Sequence, residues 1–190
     1  MGCILEQGYG STCETKKTKN GLQGSVYLFN LVGSDNNKIQ FTEDVDGTVS
    51  AITLATGDQG YKLDGSKLMH TFSPDVSVPT KGNQFYVQNL NLKVIESTAL
   101  DLKFVDSVLR AEALTAVIED YNGKFIILGT LNGLNAAEGT LKTFDVDPTA
   151  DVGTTIPLVA EAEDHHYQYF FDTDYATTKQ ALEDLMSPAS

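Results

Sequence analysis

The chain has few cysteines and histidines, and it lacks long apolar runs. It contains two cysteines and three histidines among 190 residues. Two thiols do not make a disulfide framework, and no Cys and His residues occur at metal-site spacing. We interpret Cys3 and Cys13 as small apolar residues that pack near the first strand. No run approaches the ~18 apolar residues of a membrane span, so we expect none.

Targeting signals are also missing from the first residues. No basic segment followed by an apolar segment precedes Cys3, as a lipoprotein signal would require. Glu6 stands where the myristoylation context has a small hydroxyl residue. We therefore expect a soluble protein made in a cytoplasm.

Basic residues are scarce relative to acidic ones. Thirteen Lys and Arg oppose 26 Asp and Glu, which gives a formal net charge of −13. Such a surface does not bind nucleic acid tightly by neutralising phosphates. Two interpretations remain: a surface that only keeps the protein soluble, or the wall of a conduit past which a polyanion slides. Lys16, Lys17 and Lys19 form a basic cluster, either in a solvated loop or paired with acids of a neighbouring subunit.

The residues that are abundant favour a β-rich domain. Hydrophobic residues make up 41% of the chain, which is enough for a core, and eight Tyr and nine Phe accompany many Val, Ile and Thr. These side chains suit the pleated surface of a sheet. The length suits one domain.

The stretch Leu114–Gly133 is the clearest local signal. Asn122 and Gly123 lie between the apolar runs Ala116–Asp120 and Phe125–Leu128, and Asn-Gly in that setting predicts a hairpin with a two-residue type I′ turn. Asn122 and Gly123 are thus the fold-critical turn, and they would place Ile118 opposite Ile127. Neither strand alternates cleanly, so we expect both faces to be partly covered, and the chain itself to supply only part of the cover.

The rest of the sequence predicts further strands and two helices. Thr98 and Asp101 predict the N-terminus of a flanking helix at about 99–109. A short helix is predicted within 175–186, capped by Thr177 or Thr178, and it is a candidate to dock on a partner. The predicted domains are 1–171 (β domain) and 172–190 (C-terminal tail). The other predicted strands are Ser25–Leu31, Ile39–Phe41, Thr48–Leu54, Tyr61–Leu63, Lys67–Phe72, Gln84–Ile95, Leu141–Val146, Thr154–Glu163 and Tyr167–Asp172. Asp46-Gly47 is predicted as a tight turn, and Asp64-Gly65 is a candidate hairpin turn between Tyr61–Leu63 and Lys67–Phe72. Loops are predicted at 74–79 and 145–153.

Motifs of catalysis are missing. The sequence has no Ser-centred Gly elbow, no phosphate-cradling Gly loop and no dinucleotide fingerprint. His165 and His166 follow Glu163 and Asp164, but adjacent strand residues point to opposite faces and do not chelate together. The runs at 44–47 and 145–147 lack the spacing of a calcium loop. We predict no catalytic, cofactor-binding or metal-binding residues; the enzyme alternative is a peptidoglycan hydrolase that uses Glu163 or Asp164.

Four stretches together resemble the tail-tube-like structural proteins of Bacteroidetes phages and prophages. The hairpin AVIEDYNGKFIILGTLNGL resembles the family's central block, and the likeness spans roughly residues 3–171. Its other parts are Cys3-Ile4-Leu5 with Gly8, Cys13 and Gly24–Leu28, the strand Asp46–Ile52, and the strand Gln84–Leu90 with its following helix.

The resemblance implies a tail-tube-like β-sandwich or open barrel with one flanking helix. It also implies a homo-oligomeric ring of six or twelve subunits that contacts adjacent phage tail or neck proteins. Genomic DNA would pass through an acidic lumen without specific binding, and the protein would be located in the virion. The alternative is a capsid decoration or host-contacting binding module.

The chain departs from the family pattern in two places. Gly153 is retained at the start of the final strands, but the aromatic residue that follows it in the family is absent. A tail with a predicted helix extends beyond Phe171. Both features favour a dedicated ring or adaptor over a plain repeating tube.

Overall fold

The chain folds into two open β-sheets with two helices. The computed structural model describes residues 21–33, 36–64, 70–78, 84–95, 98–139, 141 and 153–187. Within them, one sheet has seven strands and the other has four, and neither closes into a barrel. This confirms the mainly β class with two helices that the sequence predicts.

The elements follow one another in this order: β1 Leu22–Asn30, β2 Gln40–Glu43, β3 Val49–Thr53, β4 Tyr61–Asp64, β5 Thr71–Ser77, β6 Phe85–Val94, α1 Ala99–Arg110, β7 Leu114–Asp120, β8 Phe125–Leu128, β9 Asn135–Ala136, β10 Thr154–Glu163, β11 Gln168–Phe170 and α2 Tyr175–Asp184. The large sheet has the order β2-β3-β11-β8-β7-β1-β4, and the small sheet has the order β5-β6-β10-β9. The last described strand, β11, therefore lies inside the large sheet. It pairs antiparallel with β8 and in parallel with β3 through Phe170 and Val49.

The main core lies between the two sheets. It joins side chains of β1, β7 and β8 to side chains of β6, β10 and α1. On β6 the alternation is regular, with Gln88, Leu90, Leu92 and Val94 buried, as the predicted strand requires. Burial of this apolar surface is the main stabilising contribution to the fold.

A second core covers the opposite face of the large sheet. It contains Tyr27, Val117, Phe125 and Ile127 of the sheet together with Leu182 of α2. Leu182 is fully buried. The C-terminal helix, which the sequence offers as a candidate to dock on a partner, packs on its own chain. The two-sided apolar pattern of the hairpin is thus satisfied within one chain.

The central hairpin forms at the predicted place but in a different register. Ile118 pairs with Ile126, and Val117 pairs with Ile127. The predicted Ile118–Ile127 pair is therefore wrong by one residue. In the observed register the paired side chains share a face, whereas Ile118 and Ile127 belong to opposite cores.

The cause is a three-residue turn in place of the predicted two-residue one. Gly123 has φ of +74°, while Asn122 is not among the residues with positive φ. The Gly123 N–H donates to the Asp120 carbonyl, and the Asp120 carboxylate accepts from the N–H groups of Asn122 and Lys124. The carboxylate holds a turn that ends in a left-handed glycine, so the type I′ geometry is not adopted.

Two predictions around residues 61–79 are wrong. Tyr61–Asp64 pairs with β1 in the large sheet and Thr71–Ser77 pairs with β6 in the small one, so they do not form a hairpin. The predicted loop at 74–79 contains most of β5. Pro74 is tolerated there because β5 is an edge strand. On the outer side of such a strand, a residue without a backbone N–H does not cost the sheet a hydrogen bond.

Both predicted helices are present. Helix α1 begins after Thr98, whose side chain accepts from the N–H of Asp101 in a capping box, as predicted. Helix α2 is capped by Asp174 and not by either predicted threonine, because Thr178 is buried and its hydroxyl donates to the Asp174 carbonyl. Neither helix in the described part of the chain has the length and apolar character that crossing a membrane requires.

Several predictions lie outside the described residues. They concern Cys3–Leu5, Cys13, the lysines at 16, 17 and 19, the turn residue Gly65, Pro79, and the chain from 142 to 152 with its predicted strand end and acidic loop.

Candidate functional site

An open groove crosses the large sheet where β11 ends. Its floor is formed by Tyr169, Phe170 and Phe171, and its volume is about 300 Å³. The β2–β3 turn forms one wall, and the β7–β8 turn forms the other. Phe171 remains 47% exposed in this groove. The groove therefore combines an aromatic floor with charged walls.

The wall at β2–β3 is acidic. Asp44 and Asp46 line it together with Thr48. The turn is held by the Gly47 N–H, which donates to the Asp44 carbonyl, and by the Thr48 N–H, which donates to the Asp46 carboxylate. This backbone hydrogen bond lowers the pKa of Asp46, so its carboxylate is charged at neutral pH.

The wall at β7–β8 carries a cation. The ammonium of Lys124 lies 4.8 Å from the centre of the Tyr169 ring, in a cation–π contact. Gly123 and Phe125 complete this wall. The sequence predicts Gly123 as a turn residue but does not predict that Lys124, Asp44 and Tyr169 line a groove. The signal that was available is the pattern Asp-x-(Asp/Asn)-Gly, which occurs at 44–47 and again at 120–123.

A row of aromatic side chains continues from the groove along the open end of the main core. Neighbouring ring centres lie 5.4 Å apart for Tyr167 and Tyr169, 4.3 Å for His166 and Tyr167, and 5.7 Å for Tyr86 and His166. Phe72 meets Tyr167 edge-on at 6.0 Å. These rings cover the gap between the two sheets while keeping part of their surface in solvent.

Glu163, the candidate of the enzyme alternative, is only 1% exposed. Its carboxylate accepts from the backbone N–H groups of Leu131, Asn132 and Gly133, at 3.0, 2.8 and 3.3 Å. All of these donors belong to one tight loop. The arrangement makes Glu163 a structural anchor for that loop, and it leaves the carboxylate turned away from solvent.

The three histidines do not come together. His70 is buried; the Lys93 N–H donates to its Nδ1, and its Nε2 faces the Gly24 carbonyl at 3.2 Å. That pattern fits a neutral ring with the proton on Nε2. Burial lowers the pKa of His70. His165 and His166 lie in the bend between β10 and β11, and among the described residues no group of three His, Cys, Asp or Glu side chains is placed to hold a metal ion.

A polar contact under α2 links the helix to the large sheet. The buried Tyr27 hydroxyl donates to the Glu183 carboxylate at 3.0 Å, and the Lys62 ammonium donates to the same oxygen at 2.9 Å. Burial, followed by the bond to Glu183, raises the pKa of Tyr27, whereas the bond from Lys62 is the main cause that lowers the pKa of Glu183. This cluster fixes the position of α2.

Comparison with known proteins gives one partial likeness. No protein-family model matches the chain, and no solved structure matches it. An ABC transporter ATP-binding protein of Treponema denticola is 30% identical over 118 residues. That stretch is 62% of this chain but 24% of the relative, so the chain is similar to a minor part of that protein.

Proposed function

We propose that the chain is a phage virion structural protein that assembles into a ring in the tail or neck and forms part of the DNA-conducting channel. The proposal begins from the resemblance of the hairpin block and its companion motifs to tail-tube-like proteins. The two-sheet architecture with a flanking helix supports it, because it is the kind of fold that the resemblance implies.

The observation that carries the proposal is the outer edge of β5. This strand pairs with β6 along one side, and no described strand pairs with its other side. Val76, near its end, is 58% exposed, and Val78, just after it, is 67% exposed. A strand edge left unpaired in solvent is a site for uncontrolled pairing unless a partner covers it. Pro74 interrupts the donor row of this edge and so restricts how a partner strand can add to it.

Helix α1 supports assembly independently. Leu100 and Leu102, near its start, are 73% and 52% exposed, although the buried side of the helix is supplied by Val105 and Val108. A single exposed leucine is ordinary, but apolar residues on both an edge strand and a helix are what subunit contacts cover. Closed rings use such surfaces because each copy offers them to the next.

The charge supports a DNA conduit and not a DNA-binding site. A net charge of −13 repels a polyanion, so DNA would slide past the wall without specific contacts. We further propose that the protein is not an enzyme. The carboxylate of Glu163 is buried and accepts three backbone hydrogen bonds. The 190 residues also lack the phosphate-binding loop G-x-x-x-x-G-K-[ST], so the partial likeness to a transporter protein does not include this nucleotide-binding motif.

Electron microscopy and native mass spectrometry of the purified protein and of virions test this proposal. We expect rings of six or twelve copies on the tail or neck axis. The variant Val76→Lys/Val78→Lys should reduce ring formation, whereas Val45→Lys, at a more exposed valine in the β2–β3 turn, should not. A stable monomer that is absent from particles would overturn the proposal.

The row of aromatic side chains favours a second candidate, a capsid decoration or host-contacting module. Half-exposed aromatic rings beside polar groups are a common basis of recognition surfaces. Antibody labelling of virions separates the two candidates. Label on the shell or at a fibre tip favours the binding module, and label on the tail axis favours the ring.

A further inference from the structure

We propose that helix α1 of one copy docks on the groove at the end of β11 of a second copy, with its Lys103 and Arg110 facing the acidic wall of that groove. The inference rests on the proposed function, since it names the surfaces through which copies meet. It is carried by two exposed cations, by an acidic groove with an exposed aromatic floor, and by the separation of these two surfaces along the large sheet.

Helix α1 presents two available cations to solvent. Lys103 and Arg110 are exposed, and neither forms an ion pair with Asp106, which lies between them, or with any other residue in the described part of the chain. The other cations of that part all have partners; they are Lys38, Lys62, Lys93, Lys124 and Lys179. The available positive charge is therefore concentrated on one helix of a chain whose net charge is −13.

The two cations share the outer face of the helix. Positions 103 and 110 are separated by nearly two full turns, so their side chains lie on one line along the helix. Val105 and Val108, the buried residues of α1, face the opposite way. Leu100 lies one turn before Lys103 and is 73% exposed. The outer face of α1 is thus basic with an apolar flank.

The groove has the complementary character. Asp44 and Asp46 are exposed on its β2–β3 wall, and Phe171 on its floor is 47% exposed. Lys124, the cation of the opposite wall, lies against Tyr169. The volume of about 300 Å³ admits side chains of a helix that lies across the mouth of the groove. A long cationic side chain laid on this floor covers aromatic surface and brings its charge to the carboxylates.

The helix and the groove of one chain lie too far apart to meet. Helix α1 packs beside Leu114, at the start of β7, whereas Gly123 and Lys124 of the groove follow the end of that strand. From its first residue to its last, β7 spans roughly 20 Å. The two surfaces can therefore meet only between copies, in a head-to-tail contact. Such a contact generates a ring when the rotation from copy to copy closes.

Exchange of charge between the two surfaces tests this contact in the full-length protein. The helix variant Lys103→Glu/Arg110→Glu makes the outer face of α1 acidic. The groove variant Asp44→Lys/Asp46→Asn makes the wall basic, and its second substitution keeps an acceptor for the Thr48 N–H. Native mass spectrometry should show rings for the original chain and a loss of rings for each variant alone.

An equimolar mixture of the two variants, one of them isotope-labelled, should regain rings in which the variants alternate. Each helix then meets a groove of opposite charge. A chain that carries all four substitutions should also regain rings.

The control Lys38→Glu/Lys179→Glu changes the net charge by the same amount as the helix variant, but away from α1, and should keep its rings. Exchange variants that form rings as the original chain does would overturn this contact and leave the ring proposal intact. So would a mixture that stays without rings. An original chain that forms no rings would overturn both proposals.

Discussion

The carboxylate of Glu163 lies 2.8 Å from the backbone nitrogen of Asn132 and accepts its hydrogen. Together with the bonds from Leu131 and Gly133, this contact lets a side chain of β10 satisfy the backbone of the loop after β8. In addition, the side-chain amide of Asn132 donates to the backbone carbonyls of Glu161 and Ala162, which lie next to Glu163 on β10. The two residues fasten the small sheet to the large one.

We predict that Glu163→Gln destabilises the protein by about 1.5–3 kcal/mol, because hydrogen bonds to a buried charged acceptor are worth about that much. The free energy of unfolding in urea measures the effect. Glu161→Gln is the matched control, since Glu161 is an exposed residue of the same strand, and its side chain should contribute little. Equal stability of the two variants would contradict the anchor role of Glu163.

Gly123→Val should destabilise the protein by about 1–3 kcal/mol, because a β-branched residue resists positive φ. An added Cβ would lie 3.6 Å from the Tyr175 ring, which is ordinary contact, so the cost comes from the backbone. Gly123→Asn, which tolerates this φ, should cost less. Thermal melting measures both variants, and an unchanged melting temperature for Gly123→Val would refute the role of this turn.

Stability should fall as pH rises above 10, in part because of Tyr27. Its pKa in the folded state is raised above the ordinary 10.0, so the folded state favours the protonated hydroxyl. That contribution is complete below pH 10 and is lost as the pH approaches the raised value. Tyr27→Phe should weaken the alkaline decline measured by urea unfolding, while Tyr61→Phe, at a half-exposed tyrosine, should not.

Stability should also fall on acidification below pH 6.5, in part because of His70. Burial lowers its pKa in the folded state, so the unfolded chain takes up a proton at a higher pH than the folded one. The contribution is complete above 6.5 and is lost as the pH falls through the lowered value. His70→Gln should reduce the difference in unfolding free energy between pH 7 and pH 5.5, and His165→Gln, at an exposed histidine, is the control.

Leu182→Ala should cost about 2–5 kcal/mol, as expected for a fully buried leucine. Gln180→Ala, on the exposed side of α2, should change the free energy of unfolding by less than about 1 kcal/mol. If Leu182→Ala instead altered assembly without altering unfolding, the helix would be a partner-docking element after all.

Local signals in the sequence were sufficient for some elements. Helix α1 was predictable with its cap, because Thr98, Asp101 and the apolar period are close together in the sequence. The hairpin at 122–123 was placed correctly, but its register depends on which backbone groups the Asp120 carboxylate accepts from, and a two-residue turn predicts the wrong pairing. Pro74 indicated a loop because a sequence does not reveal that a strand will lie at a sheet edge.

Long-range arrangement was the part that sequence could not provide. The groove exists because β11 separates the turns at 44–47 and 120–123, and no periodicity links these three segments. The cover over Phe125 was likewise unpredictable. The apolar side of α2 is short. Nothing in the sequence of this helix indicates whether it packs on a sheet of its own chain or on another protein.

The position of β11 also sets the order in which the fold can be completed. β2 and β3 are synthesised early, but in the described part of the chain the strand that joins β3 to β8 is β11. A ribosome must therefore synthesise the chain as far as β11 before this hairpin can pair with the sheet. Pairing across so long a loop is slow, so the early hairpin spends the time of synthesis with an open edge. Assembly of any ring would have to wait for β11, which makes the pairing of this strand a checkpoint that precedes assembly.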